Sequence, residues 1–221
     1  MKAGGVFGGR RRCLAWAVGA VLVGTAACDT APRLAAVAPG QTVLALGDSV
    51  THGTGAGPSE DWPSLVAQAT GWQVVNAGVP GDTAQLAQQR LAPLLEAHRP
   101  ALLILEIGGN DLLRRRPPAE VKADLRAMLH TARAAGVATV LVAVPEPTLL
   151  GALAGRVRDA ELYAEVAKEE GVALAPEVLA QVLSEPAWRA DPIHPNAAGY
   201  RRLADGLLAR FKALGLLWVP G

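Results

Sequence analysis

The sequence predicts an α/β domain: a parallel sheet with helices on both faces. Three observations carry this. Short apolar runs alternate with longer helical patterns along most of the chain. The runs are continuously apolar, as strands buried on both faces are, and lack the alternation of a sheet with one wet face. Polar or glycine-rich loops follow the first three runs, where an open α/β sheet binds ligands outside the carboxyl ends of its strands.

The first strand is expected at 42–47, Thr42-Val43-Leu44-Ala45-Leu46-Gly47, and Ser49 follows it. A helix is expected over 62–70, with Pro63 suited to the first helical position, where the missing N–H costs nothing. The second strand, 72–76, leads to Gly78 and Gly81. Asp82 and Gln85 have the spacing of a capping box before a helix over 84–98. The third strand, 101–107, ends in Gly108-Gly109-Asn110-Asp111. Helix 118–135 and strand 137–144 are separated by Gly136, and helix 157–170 and strand 172–174 by Gly171, where a glycine closing a helix belongs. Helices over 176–183 and 196–214 complete the chain. No repeat or second folded domain is visible.

The 221 residues are enough for one domain with a sizeable core over 41–221. Residues 1–27 have the plan of a secretory signal peptide: basic Lys2 and Arg10 to Arg12, apolar Leu14 to Val23, then small Thr25-Ala26-Ala27. Cys28 follows directly and resembles the lipidated cysteine of bacterial lipoproteins; residues 28–40 read as a linker. The expected protein is therefore exported to the cell envelope or periplasm and anchored to the membrane by lipid at Cys28. Without Lys2, Arg10, Arg11 and Arg12, 17 basic residues face 20 acidic ones, a net charge of −3. That balance gives no sign of nucleic-acid binding. Cys13 and Cys28 are the only cysteines, so an internal disulfide and a cysteine-based zinc site are not expected in the mature domain.

Four segments carry residues suited to acyl transfer. Ser49 is a candidate nucleophile, or else a helix cap. His194 is a candidate base, with Asp191 three residues earlier able to orient it, although both also suit a proline-rich loop. Asn110 and the Gly81 N–H could donate to an oxyanion, or simply shape turns. The three asparagines, Asn76, Asn110 and Asn196, all lie in or beside these loops, which favours function over chance. His52 could be imagined with Asp48, Asp191 and His194 as a metal site, but ligand types without geometry do not make one. His98 suits a helix end. His130 and Arg114-Arg115-Arg116 read as solvated.

In order, Gly47-Asp48-Ser49, the Asn76-to-Thr83 segment with Gly81, Gly108-Gly109-Asn110-Asp111, and Asp191-Pro192-Ile193-His194 resemble the blocks of the SGNH (GDSL) hydrolase superfamily. Trp62-Pro63 and Val74-Val75-Asn76-Ala77 add a likeness to its bacterial arylesterase, acyl-CoA thioesterase and lysophospholipase branch. The resemblance spans about 41–212. It implies a three-layer α/β/α sandwich, flavodoxin-like, with about five parallel strands. It also implies a serine esterase needing no cofactor or metal. Ser49 would be the nucleophile, with His194 and Asp191 as base and orienter. The oxyanion hole would be the Ser49 N–H, the Gly81 N–H and the Asn110 side chain. The expected substrate is a small ester or thioester with an acyl or aryl group, suggested by apolar Leu112, Leu113, Leu149, Leu150 and Leu153, although each equally suits core or helix packing. A carbohydrate O-acetylesterase of the same superfamily and a non-catalytic surface lipoprotein are the alternatives.

Overall fold

Five strands form one parallel sheet in the order β2-β1-β3-β4-β5. They are β1 Thr42–Gly47, β2 Gln73–Gly78, β3 Leu102–Glu106, β4 Ala138–Val142 and β5 Ala173–Ala175. This computed structural model describes residues 34–146 and 157–218, together with Met1, Gly4 and Gly5. The rest of the expected targeting segment, Cys28, and Leu149, Leu150 and Leu153 lie outside the described residues. Met1–Thr30 and Ala31–Gly221 are separate units, and the fold is that of the second.

Side chains alternate across each strand, and this alternation builds two cores. Val43, Ala45, Leu102, Ile104, Val140 and Val142 pack on one face with α2 (Trp62–Thr70), α7 (Val178–Ser184) and α8 (Ala197–Ala213). Leu44, Leu46, Leu103, Leu105 and Leu141 pack on the other with α3 (Ala84–His98), α5 (Pro118–Ala134) and α6 (Glu161–Glu170). The result is the three-layer sandwich with the flavodoxin-like strand order. The sheet turns back on itself beside β1: from there the chain first builds outward to β2, then returns to β3 on the other side. Such a reversal opens a crevice at the carboxyl ends of β1 and β3.

Several local expectations shift. Thr83, not Asp82, caps α3, accepting from the Leu86 N–H at 3.3 Å. Asp82 instead grips Arg90, with Nη2 at 2.7 Å and Nε at 2.9 Å. Pro63 is the second residue of α2, because Asp61 caps it one position earlier by accepting from the Ser64 N–H at 2.9 Å. α6 begins at Glu161 rather than 157, since Val157–Ala160 instead runs beside β4's exit, where Pro145 bridges Asp159 and the Ala160 N–H reaches Val144 O. α7 begins at Val178 because Glu177 takes a left-handed φ of 64° with its N–H held by Asp159 at 2.6 Å. Two short helices, α1 (Ser49–His52) and α4 (Gly109–Leu113), follow β1 and β3 directly and were not expected. They span one turn each, too short for a hydrophobic period to reveal.

Candidate active site

β1 ends in Gly47 because nothing larger fits: a Cβ there would lie 2.1 Å from Thr51 Oγ1 and 2.3 Å from Glu106 O. The chain then folds straight into α1. Asp48 caps it, its Oδ1 accepting from the Val50 N–H at 3.0 Å, so Ser49 is the helix's first residue rather than its cap. Ser49 Oγ lies 2.9 Å from His194 Nε2.

His194 comes from the loop before α8, 145 residues away along the chain. Two contacts join this loop to the serine loop. A Cβ at Gly55 would lie 2.5 Å from Pro195 O and 2.8 Å from Ala190 Cβ, so the two loops touch backbone to backbone. Tyr200, in α8, donates its hydroxyl to Thr54 O at 2.9 Å. Asp191 organises the loop itself. Its Oδ1 accepts from the Ile193 and His194 N–H groups, each at 2.9 Å, and its Oδ2 lies 2.7 Å from His194 Nδ1. Burial pushes the Asp191 carboxyl up, but the imidazole and the two backbone donors outweigh it and hold the group below its ordinary value.

Asn110 is the second residue of α4. Its Nδ2 donates to Asp82 O at 2.9 Å and lies 3.4 Å from Asp48 Oδ2. The fixed amide therefore stands beside the serine loop with one hydrogen loosely engaged. Gly81 takes φ 85°, which explains a glycine there, and the space beside its Cα is open. Among the described residues, neither the Ser49 nor the Gly81 N–H donates within the protein.

A cleft runs from Ser49, His194 and Asn110 between walls that include Leu113, Val144, Val157, Leu179, Leu183 and Ile193. Of the leucines expected at the substrate, Leu113 lines this cleft, whereas Leu112 packs against the core. Leu179 and Leu183 were missed; their spacing of four along α7 puts both on one helix face, but it looks the same as core packing.

Other expectations need correction. Asn76 and Asn196 are structural. Asn76 bonds Thr51 O at 2.9 Å and accepts from the Gly78 N–H, and Asn196 caps α8 by accepting from the Gly199 N–H at 3.0 Å. Arg116 is not solvated: it turns inward to Asp111 and to Asp124 at 2.9 Å, because the fully buried Asp111 needs a cation. Arg114 donates to Gly81 O at 3.2 Å. His130 stays on the surface as expected, 59% exposed, and there pairs with Glu170 at 2.8 Å across α5 and α6. His98 does close α3. Among the described residues, no group of three or more His, Cys, Asp or Glu side chains is placed to hold a metal ion.

Residues 45–202 match the model of the GDSL-like Lipase/Acylhydrolase family, more than half of the chain. The chain belongs to this family. Family members similar to it include thioesterase 1/protease 1/lysophospholipase L1 of Escherichia coli K12, 35% identical over 182 residues, covering 80% of this chain and 86% of that protein. Esterase TesA of Pseudomonas aeruginosa is 35% identical over 185 residues, covering 80% and 90%. Among solved structures, a crystal structure of TesA superposes with a TM-score of 0.71 at 33% identity, covering 79% of this chain and 99% of that one. The family's α/β/α fold is thus the fold seen here, and the chain is a GDSL-type hydrolase.

Proposed function

We propose that this protein is a serine esterase that hydrolyses carboxylic esters or thioesters through an acyl-enzyme on Ser49. One observation carries the reading: the unbroken chain of contacts from Ser49 Oγ through both nitrogens of His194 to Asp191. Asp191 keeps the proton on Nδ1, which leaves the Nε2 lone pair facing the serine hydroxyl. As Ser49 Oγ bonds to the substrate's carbonyl carbon, its proton passes to Nε2 and the carbonyl oxygen takes the negative charge. The Ser49 N–H, the Gly81 N–H and the Asn110 amide stand ready for that oxygen; losing one such donor typically costs about 10²–10³ in turnover. The imidazolium then protonates the leaving alcohol or thiol. Water then enters and gives a proton to Nε2 as its oxygen bonds to the acyl carbon; the bond to Ser49 Oγ breaks, Nε2 returns the proton to Oγ, and the acid leaves.

The apolar cleft walls suit an acyl chain or aryl group, and relatives named lysophospholipase, thioesterase and esterase support that class. We also propose export and membrane attachment at Cys28, on the strength of the basic start, the apolar stretch and the small residues before it. An exported enzyme would meet lysophospholipids and simple esters rather than acyl-CoA.

The test is hydrolysis of p-nitrophenyl esters from acetate to palmitate, beside Ser49→Ala. Activity peaking at a definite chain length and lost in the variant is expected. Equal activity in both proteins would refute the serine mechanism. Activity on an acetylated sugar alone would move the assignment to a carbohydrate O-acetylesterase. For the anchor, Cys28→Ala should move the protein from the membrane to the soluble fraction; an unchanged distribution would refute lipidation.

A further inference from the structure

The catalytic scheme leaves one buried acid without a role. Glu106 ends β3 and is 1% exposed. Its Oε2 accepts the Thr51 hydroxyl at 2.7 Å, while its Oε1 is buried with no partner among the described residues. Asp48 is also buried, and neither carboxyl makes an ion pair among the described residues. An ionised carboxyl with a buried, unpartnered oxygen and no paired cation is too costly, even at the floor of the cleft that Glu106 helps to line. Glu106 therefore keeps its proton. Burial, and then the neighbouring Asp48, push its carboxyl well above the ordinary value.

The partner of Glu106 is what gives it meaning. Thr51 is the third residue of α1, and Ser49 is the first. A single helical turn cannot hold itself together, because nucleation costs more than one turn of hydrogen bonds returns. α1 is held from outside. Asp48 caps it, Asn76 Nδ2 binds Thr51 O at 2.9 Å from the β2 side, and Glu106 binds the Thr51 hydroxyl from the β3 side. Four residues beyond Glu106, the same segment delivers Asn110. The distance between nucleophile and oxyanion amide thus depends on how firmly α1 is tied to β3.

We propose that Glu106, acting through the Thr51 hydroxyl, is a positioning residue that locks the turn carrying Ser49 to the strand that delivers Asn110. This rests on the serine mechanism proposed above. The tie works as a neutral acid, so an amide of the same shape replaces it. A misplacement on the order of 1 Å at a reacting group can cost about 10²-fold in rate.

The test compares Glu106→Gln, Glu106→Leu, Thr51→Val and the Thr51→Val/Glu106→Leu pair. Each is followed by ester kcat and KM, by the rate of labelling with a fluorophosphonate, and by thermal midpoint. Glu106→Gln should stay within about threefold of the native protein. Glu106→Leu and Thr51→Val should each lose about 10- to 10²-fold in kcat and in labelling rate, with KM changed less than about threefold. The pair should be no slower than the worse single variant, since both remove one interaction. Thr51→Val keeps the test open if Glu106→Leu does not fold. Native kcat in Thr51→Val would overturn the proposal even if its midpoint falls. So would Glu106→Gln as slow as Glu106→Leu, which would point to a needed charge. A native protein that reacts with no fluorophosphonate would instead refute the serine mechanism beneath it.

Discussion

Asp191→Asn separates the two tasks that one carboxylate performs. Asp191 Oδ1 accepts two backbone N–H groups at 2.9 Å, and Oδ2 holds His194 Nδ1 at 2.7 Å. An asparagine can keep the first task, with its carbonyl oxygen under the Ile193 and His194 N–H groups. Its NH₂ then faces Nδ1. Two donors cannot meet, so the imidazole moves its proton to Nε2, the nitrogen facing Ser49. Flipping the amide fails as well, because it would set the NH₂ against two backbone donors. The base is then in the wrong tautomer to accept the serine proton. Such a change costs about 10⁴ in kcat where the carboxylate is buried. Here the Asp191 side chain is 46% exposed, so part of its charge is already screened. The expected loss is about 10³–10⁴ in kcat, or about 4–5.5 kcal/mol of transition-state stabilisation, with KM nearly unchanged. Because the loop keeps its backbone acceptor, the thermal midpoint should move little, whereas Asp191→Ala should lower it. Steady-state hydrolysis of a p-nitrophenyl ester with parallel thermal unfolding reads both. A kcat for Asp191→Asn within tenfold of the native value would refute the tautomer argument.

Three more perturbations follow from the structure. Tyr163 is fully buried and donates to Ile107 O at 2.7 Å, so Tyr163→Phe leaves that carbonyl unpaired and should cost about 1–3 kcal/mol in urea unfolding; no change would mean the carbonyl finds another donor. Burial, only partly offset by the Val50 N–H and His194, raises the Asp48 carboxyl from 3.8 to about 6. Its stabilising contribution is full below pH 3.8 and is lost as pH rises through about 6, so Asp48→Asn, which still caps α1, should gain stability over the native protein between those values. A constant difference across the window would refute this. Finally, Glu170 gathers His130 at 2.8 Å and Arg133 at 3.5 Å across α5 and α6, so Glu170→Gln should lower the thermal midpoint at low salt and do so less in 1 M NaCl. An equal drop at both ionic strengths would point to packing.

The strand order shows how far local pattern reaches. Continuous apolar runs marked β1, β3 and β4 because both faces of each are buried, and a run of that kind leaves its signature in consecutive residues. The glycines that end α5 and α6 stand where positive φ is needed, and Gly136 and Gly171 adopt 71° and 62°. α1 and α4 escaped notice because each is a single turn, held by contacts to residues far along the chain rather than by its own sequence. The cap of α3 went to Thr83 because Arg90 claims Asp82, a competition that spacing alone cannot reveal.

Periodicity and short motifs are local properties, so the layered α/β architecture and the candidates Ser49, Gly81, Asn110, Asp191 and His194 were legible in the sequence. It could not show that Asn76 and Asn196 hold the backbone of their loops and helix rather than a substrate. Nor could it show that Arg116 turns inward, that Leu179 and Leu183 line the cleft, or that Glu106 sits buried beneath α1 and holds the Thr51 hydroxyl. Those depend on distance between residues remote in sequence. Only the tertiary structure placed His194 at 2.9 Å from a serine 145 positions earlier. It did so through the Gly55–Pro195 contact and the Tyr200–Thr54 hydrogen bond, where chain segments meet only after the sheet and its two helical layers have formed.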